Sequence, residues 1–206
     1  TLFVRYALPG ERVRVAVTEV SRKIVRAEAV EVLVASPDRV EPPCPVFGPG
    51  GCGGCDFQHV AVPAQRALKE RVLADSLRRI GRLDPSEIDA LDLRVRELPG
   101  APDGLGWRTR VRWSTAPDGT VGLYRHRSHD VVAVERCLIA SPGVDLPPAR
   151  GEALARSARV EHVVRGRRWK VAADAFWQVH PGAPEALVDA VLRLGEPGPA
   201  EAWGDL

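Results

Sequence analysis

Four cysteines are the residues of this chain whose type and spacing best suit chemistry. Cys44, Cys52 and Cys55 lie in the segment Cys-Pro-Val-Phe-Gly-Pro-Gly-Gly-Cys-Gly-Gly-Cys, and Cys137 is the fourth. Thiolates bind iron or zinc when a short, flexible loop lets several sulfur atoms converge, and the glycines of this segment allow the necessary turns. The chain therefore offers one complete set of four thiolate ligands.

Other uses of the cysteines are less well supported by the sequence. The chain has no secretory segment and is too long to need disulfide bonds for stability, so two disulfides are not indicated. Zinc ribbons normally show two close Cys-x-x-Cys pairs, whereas Cys137 stands alone. A [4Fe-4S] cluster accepts three local ligands and one distant ligand, so we favour iron and sulfide. A zinc site that includes histidine is the alternative, although we assign no ligand role to His59, His126, His129, His162 or His180.

Composition limits the class of protein. With 206 residues, 45% hydrophobic and 27% charged, the chain can bury at least one core and form one or two domains. No run of about 18 apolar residues is present, so we expect a cytoplasmic protein without membrane contact. The net charge of +2 indicates no particular partner. No methionine is present, even at position 1, and we expect that the natural start is missing.

The N-terminal residues have the pattern of short strands. Val13, Val15 and Val17 are expected to face inward on one strand after a turn at residues 8–11, while the intervening arginines face solvent. Short strands with turns at this spacing predict a small antiparallel barrel that presents a basic face to nucleic acid. A barrel surface that contacts only water is an equally good interpretation of the charge.

The middle of the chain alternates helix and strand patterns. Residues 62–83 have the apolar spacing of an amphipathic helix, with Gly81 as its stop, and residues 91–95 alternate like a half-buried strand. Residues 107–113 alternate more sharply, which predicts a strand with aromatic and apolar side chains on one face. Asp118-Gly119 predicts a hairpin turn to a return strand at residues 121–127.

This hairpin would collect a basic patch suited to RNA. Its members are the cations that alternate with the apolar residues, namely Arg108, Arg110, Arg112, Arg125 and Arg127. Arginine favours phosphate because its planar fork donates two hydrogen bonds at once. The alternative is a sheet face covered by carboxylates of a neighbouring helix.

The C-terminal part is predicted as a helix at residues 153–158, a hairpin turning at residues 165–167, and a second amphipathic helix. The apolar residues of that helix are Ala186, Leu187, Val191, Leu192 and Leu194. Residues 202–206 have the pattern of the start of a strand, so we expect the chain to be the front part of a longer protein.

Several motifs together resemble the RNA (uracil-5-)-methyltransferase family, which forms 5-methyluridine in ribosomal and transfer RNA. The motifs span nearly the whole chain and are Leu8-Pro-Gly-Glu, Cys44…Cys52-Gly-Gly-Cys55 with Asp56-Phe-Gln-His59, Val121-Gly-Leu-Tyr-Arg125 with Ser128-His129, Cys137, and Asp174-Ala-Phe-Trp-Gln-Val-His-Pro181. The chain departs from the family in the seven residues between Cys44 and Cys52, in His180 where asparagine is frequent, and in residues 107–110. The departure at residues 107–110 allows a different choice of substrate.

The resemblance implies a fold and a domain order. We expect a β-barrel plus α+β architecture: a small OB-like TRAM antiparallel barrel, lacking its first strand, at residues 1–43, and a mixed antiparallel-sheet and helix domain with the cluster loop at residues 44–181. Residues 182–206 would be a linker helix and the opening of a Rossmann domain that binds S-adenosylmethionine, with Gly204-Asp205-Leu206 in its first strand.

The resemblance also assigns roles. It implies that Cys44, Cys52, Cys55 and Cys137 hold a [4Fe-4S] cluster, that Gln178 lies at the pocket for S-adenosylmethionine and the target base, and that the protein binds ribosomal or transfer RNA as a monomer. In this family a cysteine attacks the uracil ring and a carboxylate later removes the proton from carbon 5, and neither falls within this chain. We therefore expect the chain alone to be inactive, as the part of the methyltransferase that recognises RNA and holds the cluster. The alternative is a stand-alone zinc-binding module that binds RNA without enzymatic activity.

Overall fold

The computed structural model describes residues 1–101, 103–146, 159–172 and 175–195. These residues form strands and helices in the order β1 (Leu2–Arg5), β2 (Arg12–Val20), β3 (Val25–Val34), α1 (Val62–Arg79), α2 (Pro85–Ala90), β4 (Ser114–Thr115), β5 (Val121–Tyr124), β6 (Val131–Ala133), β7 (Arg159–Val164), β8 (Arg167–Ala172) and α3 (Ala183–Gly195). Small sheets with separate helices make this an α+β arrangement, which confirms that part of the predicted fold class.

The chain divides into two compact units. Residues 1–96 and 112–138 form the first, and residues 97–111 and 139–206 form the second. The cysteine loop and Cys137 both belong to the first unit. The domain boundaries expected after residues 43 and 181 stay predictions.

The N-terminal sheet has three strands in the order β1-β3-β2. Strand β3 pairs with β2 in the antiparallel direction and with β1 in the parallel direction, so the predicted all-antiparallel barrel is not confirmed. The register of β2 against β3 shifts three times, which breaks the two-residue alternation. Val13 and Val15 are half-buried as predicted, but Val17 is 57% exposed, and its predicted inward position is wrong.

The turn before β2 is confirmed and fixes a buried carboxylate. The backbone N–H of Glu11 donates to the Leu8 carbonyl at 3.2 Å, and Gly10 takes a positive φ of 84°. The side chain of Glu11 is fully buried and accepts hydrogen bonds from the backbone N–H groups of Leu8 and Ser36 and from the guanidinium of Arg39. Glu11 of the Leu-Pro-Gly-Glu motif therefore connects the turn before β2 with the residues that follow β3.

The predicted helix at residues 62–83 is confirmed as α1, which ends at Arg79, just before the predicted stop at Gly81. A short helix, α2, follows with a capping box in which Asp84 and Glu87 each bond the other's backbone. The strand predicted at residues 91–95 is wrong. The backbone N–H of Val95 donates to the Glu70 carboxylate of α1 at 2.8 Å, so a helix side chain, instead of a neighbouring strand, takes this backbone bond.

The second sheet is smaller than the alternation at residues 107–113 predicted. Strands β4, β5 and β6 form it in that order, and the predicted turn at Asp118-Gly119 joins β4 to β5. Residues 107–113 do not form a strand of this sheet. The backbone N–H of Arg108 donates to the Ile139 carbonyl and that of Thr109 to the Val179 carbonyl, so this segment bonds to other parts of the second unit.

The second unit contains the hairpin β7–β8 and the helix α3. The hairpin turns at Arg165 and Gly166, which have φ values of 48° and 76°, so the predicted turn is confirmed. The second predicted amphipathic helix is confirmed as α3. The predicted helix at residues 153–158 and the strand start at residues 202–206 lie outside the described residues. Among the residues that the structure describes, no helix is both long and apolar enough to cross a membrane.

Candidate metal centre

The loop of residues 44–55 is shaped by its own backbone bonds. The N–H of Phe47 donates to the Cys44 carbonyl at 3.0 Å, and the N–H of Cys52 donates to the Val46 carbonyl at 2.8 Å. A Cβ on Gly51 would lie 2.2 Å from the Val46 carbonyl oxygen, so this reversal accepts only glycine. The two turns bring the chain back on itself between the first and second cysteines.

The same loop docks against the end of β5. The N–H of Gly53 donates to the Tyr124 carbonyl at 2.9 Å, and Cys52 forms an isolated antiparallel bridge with Arg125. A Cβ on Gly53 would approach the backbone nitrogen of His126 to 2.6 Å, which explains glycine between the second and third cysteines. The sheet β4-β5-β6 thus provides a fixed support for the loop.

Gln58 connects two of the cysteines. Its carbonyl oxygen accepts the backbone N–H of Cys44 at 3.2 Å, and its amide nitrogen donates to the sulfur of Cys55, also at 3.2 Å. The backbone N–H of Gly54 donates to the Cys52 sulfur at 3.4 Å. N–H donors aimed at sulfur stabilise a thiolate and tune any metal that it binds.

The other three cysteines act electrostatically on Cys55. Burial raises the pKa of Cys55 to about 11, the Gln58 hydrogen bond opposes this, and the charges of Cys137, Cys52 and Cys44 raise it further. The distant Cys137, which is buried, therefore lies within electrostatic reach of Cys55. The four cysteines, all within the described residues, form no disulfide.

The donor set suits a group that binds thiolates. The other three cysteines act electrostatically on Cys55, and the sulfurs of Cys52 and Cys55 receive N–H hydrogen bonds. Within the residues described, however, no three Cys, His, Asp or Glu side chains stand close enough together to hold a metal ion as they are placed. The assignment of these cysteines as ligands stays a prediction.

A cation that the sequence analysis did not assign to the site lies beside this loop. The guanidinium of Arg5 donates to the Cys55 carbonyl at 3.0 Å and to the Asp56 carboxylate at 2.9 Å, and it stacks on the Tyr6 ring at 4.6 Å. The Arg5 side chain is only 12% exposed. A positive charge next to a set of thiolates offsets their repulsion. No local pattern marks Arg5, because its partners lie about fifty residues away in sequence.

His59 packs behind the loop. It is 3% exposed, stacks on Phe47 at 5.5 Å, and meets the Tyr6 ring edge to face. Burial, and next the Arg39 cation, lower the pKa of His59. The ring is therefore neutral at pH 7 and contributes to packing.

The predicted arginine patch is divided between the two units. Arg112, Arg125 and Arg127 belong to the first unit, and Arg108 and Arg110 to the second. Since residues 107–113 form no strand, the expected row of three arginines on one strand face is wrong. Arg112 is exposed, Arg127 lies 3.7 Å from Glu19, and Arg125 donates to the Gly50 carbonyl at 3.1 Å. Binding of RNA by these five residues stays a prediction.

Arg110 instead holds the segment that carries Gln178. Its guanidinium donates to the carbonyls of Ala175 and Trp177, while Thr109 donates through both its backbone N–H and its hydroxyl to the Val179 carbonyl. Gln178 itself is half-buried between these anchored neighbours. Its predicted place at a methyl-donor pocket is untested, and Asp174 of the same motif lies outside the described residues.

Aromatic stacking further supports this segment. The ring of Trp177 stacks on His162 of β7 at 4.4 Å, and His180 stacks on Trp107 at 5.8 Å. By contrast, Phe176 is 81% exposed. The hydrogen bonds of Arg110 to the Ala175 and Trp177 carbonyls thus fix the backbone that carries the exposed ring of Phe176.

The chain is similar to RNA methyltransferases from several bacteria. It is 39% identical to an uncharacterised RNA methyltransferase of Streptomyces avermitilis over 93% of the chain and 58% of that relative. It is 34% identical to the 23S rRNA (uracil(1939)-C(5))-methyltransferase RlmD of Chromohalobacter salexigens over 98% of the chain and 44% of that relative. The chain thus spans about half the length of these curated relatives. No protein-family profile matches it.

A solved structure has a similar fold. The tRNA (uracil-54, C5)-methyltransferase of Pyrococcus abyssi, solved with S-adenosyl-L-homocysteine, matches with a TM-score of 0.61 at 16% identity, over 94% of this chain and 60% of that one. At this identity the match is evidence of fold alone. With the named relatives and the motifs in the same order, the chain belongs to the RNA methyltransferase family, which confirms the resemblance seen in its sequence.

Proposed function

We propose that this chain is the part of an RNA methyltransferase that recognises RNA and holds a [4Fe-4S] cluster. The whole enzyme would transfer a methyl group from S-adenosylmethionine to carbon 5 of a uridine in ribosomal or transfer RNA. The Chromohalobacter salexigens relative, which is named for uracil-C5 methylation, supports this reaction class. The observation that carries the proposal is the loop of residues 44–55, whose motif resembles that of this family and in which N–H groups donate to the sulfurs of Cys52 and Cys55.

The role of the cysteines follows from their number. The sequence has four, and we assign all of them to the metal centre, so the chain supplies no further thiol to attack a uracil ring. When bound, the cluster would supply a covalent connection between the loop of residues 44–55 and the segment with Cys137. Gln58 and Gly54 would orient the sulfurs through their N–H donors, and Arg5 would offset their negative charge.

RNA recognition is the second part of the proposal. The arginines of the first unit, Arg112, Arg125 and Arg127, would contact RNA phosphates, whereas Arg110 would act by fixing the backbone around Gln178. We place the protein in the cytoplasm, where thiols stay reduced and RNA is available, and expect it to act as a monomer.

Nucleoside analysis tests the reaction. A whole enzyme of the relatives' length that carries this chain should convert unmodified ribosomal or transfer RNA and S-adenosylmethionine to RNA that contains 5-methyluridine. The 206-residue chain alone should bind the same RNA and form no methylated nucleoside. A different methylated base, or a failure of the chain to bind RNA, would contradict the proposal.

A further inference from the structure

The hairpin β7–β8 carries more positive charge than the chain as a whole. Residues 159–172 contain five cations and a single carboxylate, a net charge of +4, whereas the complete chain has +2. The remaining residues are therefore net negative. Such a concentration of charge on fourteen residues is the electrostatic footprint of a surface that meets polyanions.

The hairpin exposes these cations on both of its faces. Residues 165–170 are all exposed, and the antiparallel register sets Trp169 opposite His162 and Lys170 opposite Glu161. Since side chains alternate along a strand, Arg168 and Lys170 project from one face of β8 and Arg167 and Trp169 from the other. Each face of β8 thus presents at least one exposed cation: Arg167 on one face, and Arg168 and Lys170 on the other.

Carboxylates neutralise only part of this charge. Glu161 pairs with Arg168 at 2.8 Å, and Asp189 of α3 lies 3.3 Å from Arg165. Within the described residues, Arg159, Arg167 and Lys170 have no carboxylate within ion-pair distance. Three cations of one hairpin are therefore available to a partner.

An aromatic ring distinguishes this surface from a simple charged face. Trp169 is 44% exposed and lies between Arg168 and Lys170 in sequence, while its cross-strand neighbour His162 stacks on Trp177. Arg167 lies on the same face of β8 as this indole. The pair suits unpaired nucleic acid, because a base stacks on the ring and a neighbouring phosphate pairs with the cation. A purely acidic protein would use the cations and leave the indole without a role.

We propose that the hairpin β7–β8 is a further RNA-binding element. On one face Arg167 contacts a phosphate and Trp169 stacks on an unpaired base, and on the other face Arg159 and Lys170 contact further phosphates of the same RNA strand. This inference rests on the proposed function in that it takes RNA as the partner. It adds residues that the five arginines considered above do not include.

Binding of a labelled single-stranded RNA that contains uridine, measured with the whole 206-residue chain at several salt concentrations, tests this surface. The double substitution Arg167→Gln and Lys170→Gln removes two phosphate contacts, so the slope of log K against log salt should become shallower by about 1.4. Trp169→Ala should weaken binding on the order of tenfold, and Trp169→Phe should restore most of it.

The matched control removes the same charge elsewhere. Arg78 and Arg79 are exposed on α1, and their substitution by glutamine should leave the salt slope unchanged. Circular dichroism checks that each variant is folded. If Trp169→Ala does not fold, Trp169→Phe and the double substitution Arg167→Gln and Lys170→Gln decide the result. The inference would be overturned if the hairpin variants bind RNA like the control variant. It would also be overturned if polyglutamate displaces the labelled RNA as well as unlabelled RNA does. If the unaltered chain binds no RNA, both the proposed function and this inference are wrong. If the unaltered chain binds RNA and the hairpin variants bind equally well, only this inference is wrong.

Discussion

The buried ion pair of Glu11 and Arg39 should stabilise the first unit in a way that depends on pH. The Glu11 side chain is 0% exposed, and its carboxylate accepts two N–H bonds from the Arg39 side chain, both at 2.6 Å, besides two from the backbone. The Arg39 hydrogen bond is the largest cause that lowers the pKa of Glu11, from 4.5 to about 2, against the opposing effect of burial. The pair connects the turn before β2 with residues 36–39.

The magnitude follows from that pKa. Lowering a pKa from 4.5 to about 2 corresponds to about 3 kcal/mol, and because Arg39 is 20% exposed we reduce this to about 2 kcal/mol for solvent screening. A carboxylate with a lowered pKa in the folded state stabilises that state fully above pH 4.5. The contribution is lost as the pH falls from 4.5 to about 2.

Urea denaturation followed by tryptophan fluorescence measures this effect. At pH 7, Glu11→Gln should lower the free energy of unfolding by about 2 kcal/mol, and the difference from the unaltered chain should shrink as the pH approaches 2. Glu31→Gln is the control, because Glu31 pairs with Arg14 on the exposed surface of the same sheet and should cost under about 1 kcal/mol. Equal unfolding free energies for Glu11→Gln and Glu31→Gln at pH 7 would refute the reasoning.

Three further predictions concern the cysteine loop. Gln58→Leu removes the N–H donor to the Cys55 sulfur and should weaken metal binding by about 10–100-fold in a chelator competition, whereas Gln65→Leu, which loses bonds to carbonyl oxygens only, should not. Gly53→Ala should lower the melting temperature and the metal content because its Cβ would meet backbone at 2.6 Å. Gly54→Ala, with its nearest contact at 3.4 Å, should lower the melting temperature much less. Since burial holds the pKa of Cys55 near 11, metal uptake must release protons, and apparent metal affinity measured by titration should rise with pH between 6 and 9; a flat profile would contradict this.

The elements that the sequence predicted are those with local signals. The apolar spacing of α1 and α3 and the turns at Asp118-Gly119 and Arg165-Gly166 depend on residues a few positions apart. Residues 91–95 and 107–113 alternate between apolar and polar side chains but do not form strands. The backbone N–H of Val95 bonds the Glu70 carboxylate, and those of Arg108 and Thr109 bond the Ile139 and Val179 carbonyls. Those contacts are set by tertiary structure and have no signature in the segment itself.

The candidate site divides in the same way. The grouping of three cysteines in a glycine-rich loop predicted a metal or cluster site with Cys137 as fourth ligand, and in the structure the charge of Cys137 acts on Cys55. The ligand set itself stays a prediction. The role of Arg5 could not be predicted, because its partners Cys55 and Asp56 are distant in sequence. Gln58 is close in sequence to Cys55, but the spacing alone does not show that its amide donates to that sulfur. Arg110 has the charge expected of a phosphate ligand, yet its guanidinium bonds backbone carbonyls. Charge and spacing alone do not distinguish these uses.

Metal analysis of the chain purified without oxygen tests the central claim most directly. If the four cysteines hold a [4Fe-4S] cluster, each chain should contain about four iron atoms and four acid-labile sulfides, and Cys137→Ser should lose most of both. One zinc per chain without sulfide would contradict the cluster and support the zinc-binding module instead.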